Sequence, residues 1–265
     1  MTTMPDEQTI RLLFFLGTLL FMALWEIMAP RRRLNDRKAR RWLTNLSLVL
    51  LNTVAVRFLL PVLPVGLAAA VGEQSGGILN LMALPRWLAI ILALLILDFV
   101  MYLQHLLFHF LPPLWRLHRM HHSDLDIDVT TGNRFHPLEI VISLWIKLTA
   151  VFFIGPSVMA VILFELLLNA MAQFNHGNIR LPVTLDRWLR LFVVTPDMHR
   201  VHHSVIPRET NSNFGFNLPW WDLLLGTYRA QPEQGHEGMS IGLKQYRDPG
   251  ELTLGKLLLQ PFTRK

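Results

Sequence analysis

The chain has 265 residues, of which 52% are hydrophobic and 17% charged, and its mean hydropathy is +0.35. This length suits one domain or at most two, and so few charges argue against an ordinary soluble surface. Cysteine is absent, which excludes disulfides, thiolate zinc sites, iron–sulfur clusters and a cysteine nucleophile, and the net charge of +6 comes with no compact basic-aromatic patch for nucleic acid.

The apolar residues lie in long runs, as in a membrane protein. The first runs from about Ile10 to Ala29 and is long enough to span a bilayer. The segment MTTMPDEQT before it has acids and no base, and no small-residue cleavage signature follows, so a retained helix is expected rather than a signal peptide. Next comes PRRRLNDRKARR, the densest basic cluster, which the positive-inside rule places in the cytoplasm, with the N-terminus outside. A second apolar region, from about Leu43 to Val71, is interrupted by Arg57, Pro61 and Pro64 and reads as one tilted helix or a kinked pair. After the polar turn GEQSGG, a third helix from about Leu84 to Phe110 returns the chain to the cytoplasm. The stretch from Leu138 to Ala172 is broken at Ile154, Gly155 and Pro156 into halves of roughly 25 Å each, a hairpin or re-entrant pair that enters and leaves on one side. The tail from Glu251 mixes leucines with Lys256, Arg264 and Lys265 and is expected on the membrane surface. The fold class is therefore all-α integral membrane, with about four to five transmembrane or re-entrant helices and a cytoplasmic histidine-rich cap.

Ten of the eleven histidines fall between His105 and His203. His105 and His109 form HxxxH, and both rings can reach one metal because residues four apart share a helical face. His118, His121 and His122 form HxxHH, and His199, His202 and His203 repeat it. His136 and His176 flank the hairpin on the same membrane face. So many imidazoles converging without a metal would be costly to pack and would repel when protonated. One ion takes four to six ligands, so eight to ten histidines suit two ions, and imidazole serves iron, zinc, copper or nickel alike. There is no HExxH, and the lone Glu-x-x-His, Glu233 to His236, lies in a Pro/Gly-rich loop far from the rest.

The segments HLLFH, HRMHH, RFHPLE, FNHGN, TPDMHRVHHS and NFGFNLPWWDLLLGTY together resemble the fatty acid hydroxylase superfamily, also called the sterol desaturase family, from about Asp98 to Tyr228. The resemblance implies a membrane enzyme with a dinuclear, normally iron, site that uses dioxygen and two electrons to hydroxylate or desaturate lipids. It carries over His105, His109, His118, His121, His122, His199, His202 and His203 as ligands, His176 from FNHGN and His136 from RFHP, with no catalytic residue beyond them. Two iron ions are the expected cofactors, with zinc a substitute on purification. The chain shows no HPGG-type haem segment, so a separate cytochrome b5- or ferredoxin-like electron donor is expected. The division is then residues 1–97 as N-terminal transmembrane helices, 98–230 as the catalytic region with the apolar hairpin at 138–172, and 231–265 as a cytoplasmic or membrane-surface tail. A fatty acyl chain, sterol or carotenoid would enter from the bilayer, and the location is expected to be a bacterial inner membrane.

Metal-bound histidines usually donate their second N–H to a carboxylate or carbonyl. Asp98, two turns before His105, and Asp197, two residues before His199, are the favoured partners; Asp124, Asp126, Asp128, Glu139 and Asp222 are further candidates. Arg57 and Lys147 should pair with Asp98 or snorkel, Asn211 and Asn213 cap turns, and Trp220 and Trp221 anchor the cap at the interface. Competing readings are a metal transporter or store, which needs ligands along a route across the bilayer, and a haem electron carrier, which needs histidine pairs near opposite membrane faces.

Overall fold

The computed structural model describes residues 6–263, so MTTMP at the start and the closing Arg264 and Lys265 lie outside the described residues. The long helices are α1 (Glu7–Met28), α2 (Lys38–Leu59), α5 (Arg86–Phe110), α7 (Pro137–Ile154) and α8 (Val158–Asn175). Between α2 and α5 lie the shorter α3 (Pro64–Glu73) and α4 (Ile78–Leu81), and α6 (Pro112–His122) follows α5 directly. Short helices α9 (Val183–Leu189), α10 (Pro196–His202), α11 (Pro207–Thr210), α12 (Trp220–Leu225), α13 (Gly235–Gly238) and α14 (Leu254–Leu259) complete the chain, and no strand occurs among the described residues. Five segments are long and apolar enough to cross a membrane: Glu7–Met28, Lys38–Leu81, Arg86–Phe110, Pro137–Ile154 and Val158–Asn175. Their outward faces carry exposed Leu20, Phe21, Phe58, Trp87 and Phe153, as a lipid-facing surface should. The chain is thus an all-helical integral membrane protein.

Local chemistry sets the helix ends. Asp6 caps α1 by accepting from the Thr9 backbone N–H at 2.8 Å. The kinked-pair reading of the second apolar region holds: Pro61 and Pro64 bracket the break between α2 and α3. Proline also opens α6, α7 and α10, where its missing N–H has no helical partner to lose. Gly155 closes α7 at φ 64°, and Ser157 caps α8. This turn meets Gly77 so closely that a Cβ there would lie 2.4 Å from the Gly155 Cα, which pins the outer end of the hairpin to the α3–α4 connection. Ala93, Leu97, Met101, Val151, Ala160 and Phe164 bury the α5–α7–α8 seam below it.

At the opposite end, polar contacts tie the helices to the cap. Arg41 on α2 donates to both Asp124 oxygens at 2.8 and 2.9 Å and to Asp128 at 2.5 Å. Asp126 accepts the Asn35 and Asp36 backbone N–H groups at 2.7 and 2.8 Å. These three acids therefore hold the 124–131 loop against the start of α2 and touch no histidine. Burial alone would raise the Asp124 carboxyl, but the charges of Arg41 and Arg134 outweigh it and hold it well below the usual carboxylate range. Glu26, on the last turn of α1, accepts the backbone N–H groups of Val129 and Asn178 at 2.6 and 2.8 Å.

Two expectations change. Lys147 pairs with Glu165 at 3.2 Å rather than with Asp98, and Arg11 reaches the same carboxylate at 2.7 Å, while Arg57 is exposed. The tail does not merely lie on a surface: Leu252 and Leu257 are buried against Leu48, Met120 and Leu125, leaving Leu259 and Phe262 exposed. Arg119 binds the Gln260 and Thr263 carbonyls, which fixes that packing under α6.

Candidate metal centre

All the clustered histidines lie at one end of the bundle, on the last turns of α5, on α6, just past α8 and on α10 with the residue after it. They form two groups whose nitrogens lie within 4.8 Å of one another: His105, His109, His118, His122 and His202, and His121, His176, His199 and His203. Every one is buried. The helical repeat explains the division. Residues i and i+4 of HxxHH point within about 40° of each other, whereas i+3 turns to the other side by about 60°. So His118 and His122 enter one group and His121 the other, while His199 and His203 enter the second and His202 the first. The two motifs interleave, and the rings of His122 and His203 stack at 4.6 Å where the groups meet.

Hydrogen bonds fix the tautomers. His105, His176 and His202 place Nδ1 at 2.8, 2.7 and 2.7 Å from the carbonyls of Phe214, Ala172 and Ser212. A carbonyl only accepts, so each Nδ1 carries the proton and each neutral ring leaves Nε2 bare. His118 Nδ1 donates to Glu139 at 2.6 Å, with the same result, and His109 Nδ1 lies 3.3 Å from Asn211 Oδ1. The Nε2 atoms then face one another: 3.2 Å between the two bare atoms of His105 and His118, and 3.1 Å between those of His109 and His122, in the first group. In the second, His176 Nε2 lies 3.1 Å from those of both His121 and His199. The bare lone pairs of His105 and His118 repel unless a cation sits between them, and His176 turns a bare Nε2 toward two more imidazoles, so the donor set fits a metal ion in each group. Burial pushes the His118 and His176 imidazoles down to about 3, and His121, His122, His199, His202 and His203 well below their ordinary value. Neutral imidazole is the metal-binding form.

Nine of the ten candidate histidines are brought together; His136 is not. It sits at the start of α7, where its Nδ1 accepts from the Leu138 backbone N–H at 3.1 Å and its Nε2 lies 3.2 Å from the Leu258 carbonyl. Neither favoured aspartate reaches a ligand. Asp98 accepts from Trp221 Nε1 at 2.8 Å and from the Asn217 and Leu218 backbone at 3.3 Å, which docks the 214–225 segment on α5. Asp197 binds Arg31 at 3.1 Å and pairs with Arg200. Trp221 is thereby a structural donor rather than an interface anchor, whereas Trp220 is partly exposed and donates to the Leu191 carbonyl. Asp222 acts one step further out: it takes the Phe214 and Gly215 N–H groups at 2.8 and 2.7 Å and so orients the carbonyl that holds His105. Asn213, at φ 53°, ties this loop to the Met198 and Arg229 carbonyls.

Among the described residues, Glu139 is the one carboxylate that touches a clustered histidine. Glu139→Gln keeps the volume but replaces the carboxyl group that holds His118 Nδ1 by an amide. Metal affinity or turnover is expected to fall about 10- to 100-fold, with the protein still folded, as metal content and turnover in one preparation will show.

A helical membrane bundle with two adjacent all-histidine groups at one end, each able to hold a metal ion, defines a histidine-rich membrane protein with a candidate dinuclear centre. Residues 90–227 match the family model described as Fatty acid hydroxylase, and the chain belongs to that family. It is 26% identical over 268 residues to ornithine lipid hydroxylase OlsE of Rhizobium tropici, covering 95% of this chain and 75% of that protein. It is 33% identical over 145 residues to alkylglycerol monooxygenase of Homo sapiens and 32% over 144 residues to that of Xenopus tropicalis, each covering 54% of this chain and 31% of the relative. These relatives are named as hydroxylases and monooxygenases, and this chain is an oxidoreductase of the same family acting in lipid oxidation. No solved structure matches the chain.

Proposed function

We propose that the protein is a diiron oxygenase that hydroxylates a membrane lipid, with one iron in each histidine group. The observation that carries this reading is the set of buried Nε2 atoms that face one another 3.1 to 3.2 Å apart in both groups. His105, His109, His118, His122 and His202 would hold one iron and His121, His176, His199 and His203 the other, without His136.

Bound iron would supply activation of dioxygen for attack on an unactivated C–H bond. The chain's own residues provide the setting. Imidazoles held by Phe214, Ala172, Ser212 and Glu139 keep their orientation, and burial excludes water from the oxidising centre. Both groups lie at one end of the bundle, which supports an enzyme rather than a metal route across the membrane. The names of the relatives point to a lipid with long alkyl chains and a polar headgroup as substrate. Insertion of one oxygen atom from dioxygen, with two electrons from a separate protein, is the preferred outcome. The basic loop after α1 supports placing the histidine end in the cytoplasm, and a bacterial inner membrane fits the Rhizobium tropici relative. Residues 98–230 are taken as the catalytic region.

The test is metal content of detergent-purified protein expressed with iron, followed by turnover of a lipid extract under labelled dioxygen. Two irons per chain and one labelled oxygen in a hydroxylated lipid are expected. One ion or none in the folded protein, or label arriving from water, would overturn the proposal.

A further inference from the structure

A second built feature lies beside the histidine end, where α1 leaves its apolar span. It is a cavity of about 430 Å³ lined by Arg31, Arg32, Arg33, Lys38 and Arg180 around Glu26 and Asn178. We infer that it holds the anionic headgroup of a membrane phospholipid.

Its frame is fixed by backbone contacts rather than by loose side chains. The Arg31 N–H donates to the Asn178 carbonyl at 2.9 Å, and the Arg180 N–H to the Ala29 carbonyl at 2.8 Å. Asn178 closes the frame, accepting the Arg32 N–H at 3.1 Å and donating to the Arg32 carbonyl at 2.8 Å. The one acid in the lining is already engaged: Glu26 takes two backbone N–H groups through Oε1, and its Oε2 lies 3.5 Å from Lys38. Arg31 is partly neutralised by Asp197 and Glu237, and Arg180 lies 3.6 Å from the exposed Glu237. The lining itself carries five cations and one acid, with Asp197 and Glu237 beside it, so it is net positive.

Neither Arg32 nor Arg33 has a carboxylate within ion-pair distance among the described residues. Arg33 is exposed and has no partner among the described residues. Arg32 spends Nη1 on the His236 and Met239 carbonyls, while its Nε is buried without a hydrogen-bond partner. A buried donor left unmade is costly, and an anionic oxygen would satisfy it.

The surroundings select a lipid over a free anion. Ile27 and Met28, at the end of α1, are exposed apolar side chains just before the arginines. Val183, Leu185 and Trp188 on α9 are exposed just after Arg180. A headgroup in the cavity would therefore have apolar surface on either side for its acyl chains.

The test uses the full chain in neutral detergent, titrated with dihexanoyl phosphatidylglycerol, dihexanoyl phosphatidylcholine and inorganic phosphate and followed by thermal shift. The glycerol lipid is expected to bind at least about tenfold more tightly than the choline lipid, since each cation near the headgroup strengthens binding severalfold. The Arg33→Gln/Arg180→Gln double variant leaves the Arg31 and Arg32 hydrogen bonds in place and should lose that preference while keeping its metal content. Equal binding of the two lipids, or an unchanged preference in the folded double variant, would overturn the site. Inorganic phosphate competing at the same concentration as the lipid would overturn the lipid assignment.

Discussion

Replacing His176 by alanine is expected to lower turnover by more than about 100-fold, because loss of a ligand should exceed the 10- to 100-fold cost of disturbing a residue that merely orients one. His176 faces both His121 and His199 through Nε2 at 3.1 Å, so its removal takes away the histidine that joins two others of a four-membered group. Iron should fall by about one per chain, with the five-membered group retaining its own. His136→Ala is the matched control, close in sequence pattern but outside both groups. Its Nδ1 caps α7, so its loss should cost about 0.5–2 kcal/mol of stability and little else. Metal analysis, turnover and thermal stability on the same two preparations separate the roles. Equal loss of iron in both variants would return His136 to the centre. Normal turnover in His176→Ala with one iron missing would remove the second group from the chemistry.

The contrast between these two histidines shows what sequence can convey. HxxxH and HxxHH are legible because i, i+3 and i+4 spacing fixes side-chain direction within one helix, whatever surrounds it. His176 has no such neighbour and is located by where α8 ends, at the same level as the ends of α5 and α6. His136 satisfies the same argument about level, yet its ring turns back to cap its own helix, a local choice that spacing does not encode. The break at Pro61 and Pro64 and the hairpin turn at Gly155 were equally legible, since proline and glycine act through the backbone alone. The groups that orient the ligands were not. Three of them are the carbonyls of Phe214, Ala172 and Ser212, and every residue has a carbonyl. Asp98 and Asp197 stood at attractive spacings, but the 214–225 segment and the arginines Arg31 and Arg200 claim them through long-range packing. Glu139 carried a readable signal: an acid in the first turn of a largely apolar helix, at the histidine end, needs a buried partner.

Acidification is expected to release the metal and unfold the protein in one transition. Burial, reinforced for most of them by neighbouring imidazoles, pushes the clustered histidines outside the spanning helices far down, with His118 and His176 reaching about 3. In the unfolded chain the same groups titrate near 6.5. Between those values the unfolded state binds protons that the folded state refuses. The stability each histidine contributes is therefore complete above about pH 6.5 and declines as the pH falls toward about 3, by up to about 1.4 kcal/mol per pH unit for each. Seven such histidines, His118, His121, His122, His176, His199, His202 and His203, lie outside the spans, so the decline should be steep. Asp124 adds nothing to it at first, because its carboxyl is held below its ordinary value and loses its contribution only as the pH falls beneath about 4. While the fold persists, the ligand nitrogens stay bare and keep their ions, so protons reach the centre only when the cap opens. Iron release and loss of helical packing, followed together from pH 7 to pH 3, should then share a midpoint. Release of iron at pH 5 to 6 from protein that remains folded would overturn this coupling, since the imidazoles would then titrate near their ordinary value in a centre open to water.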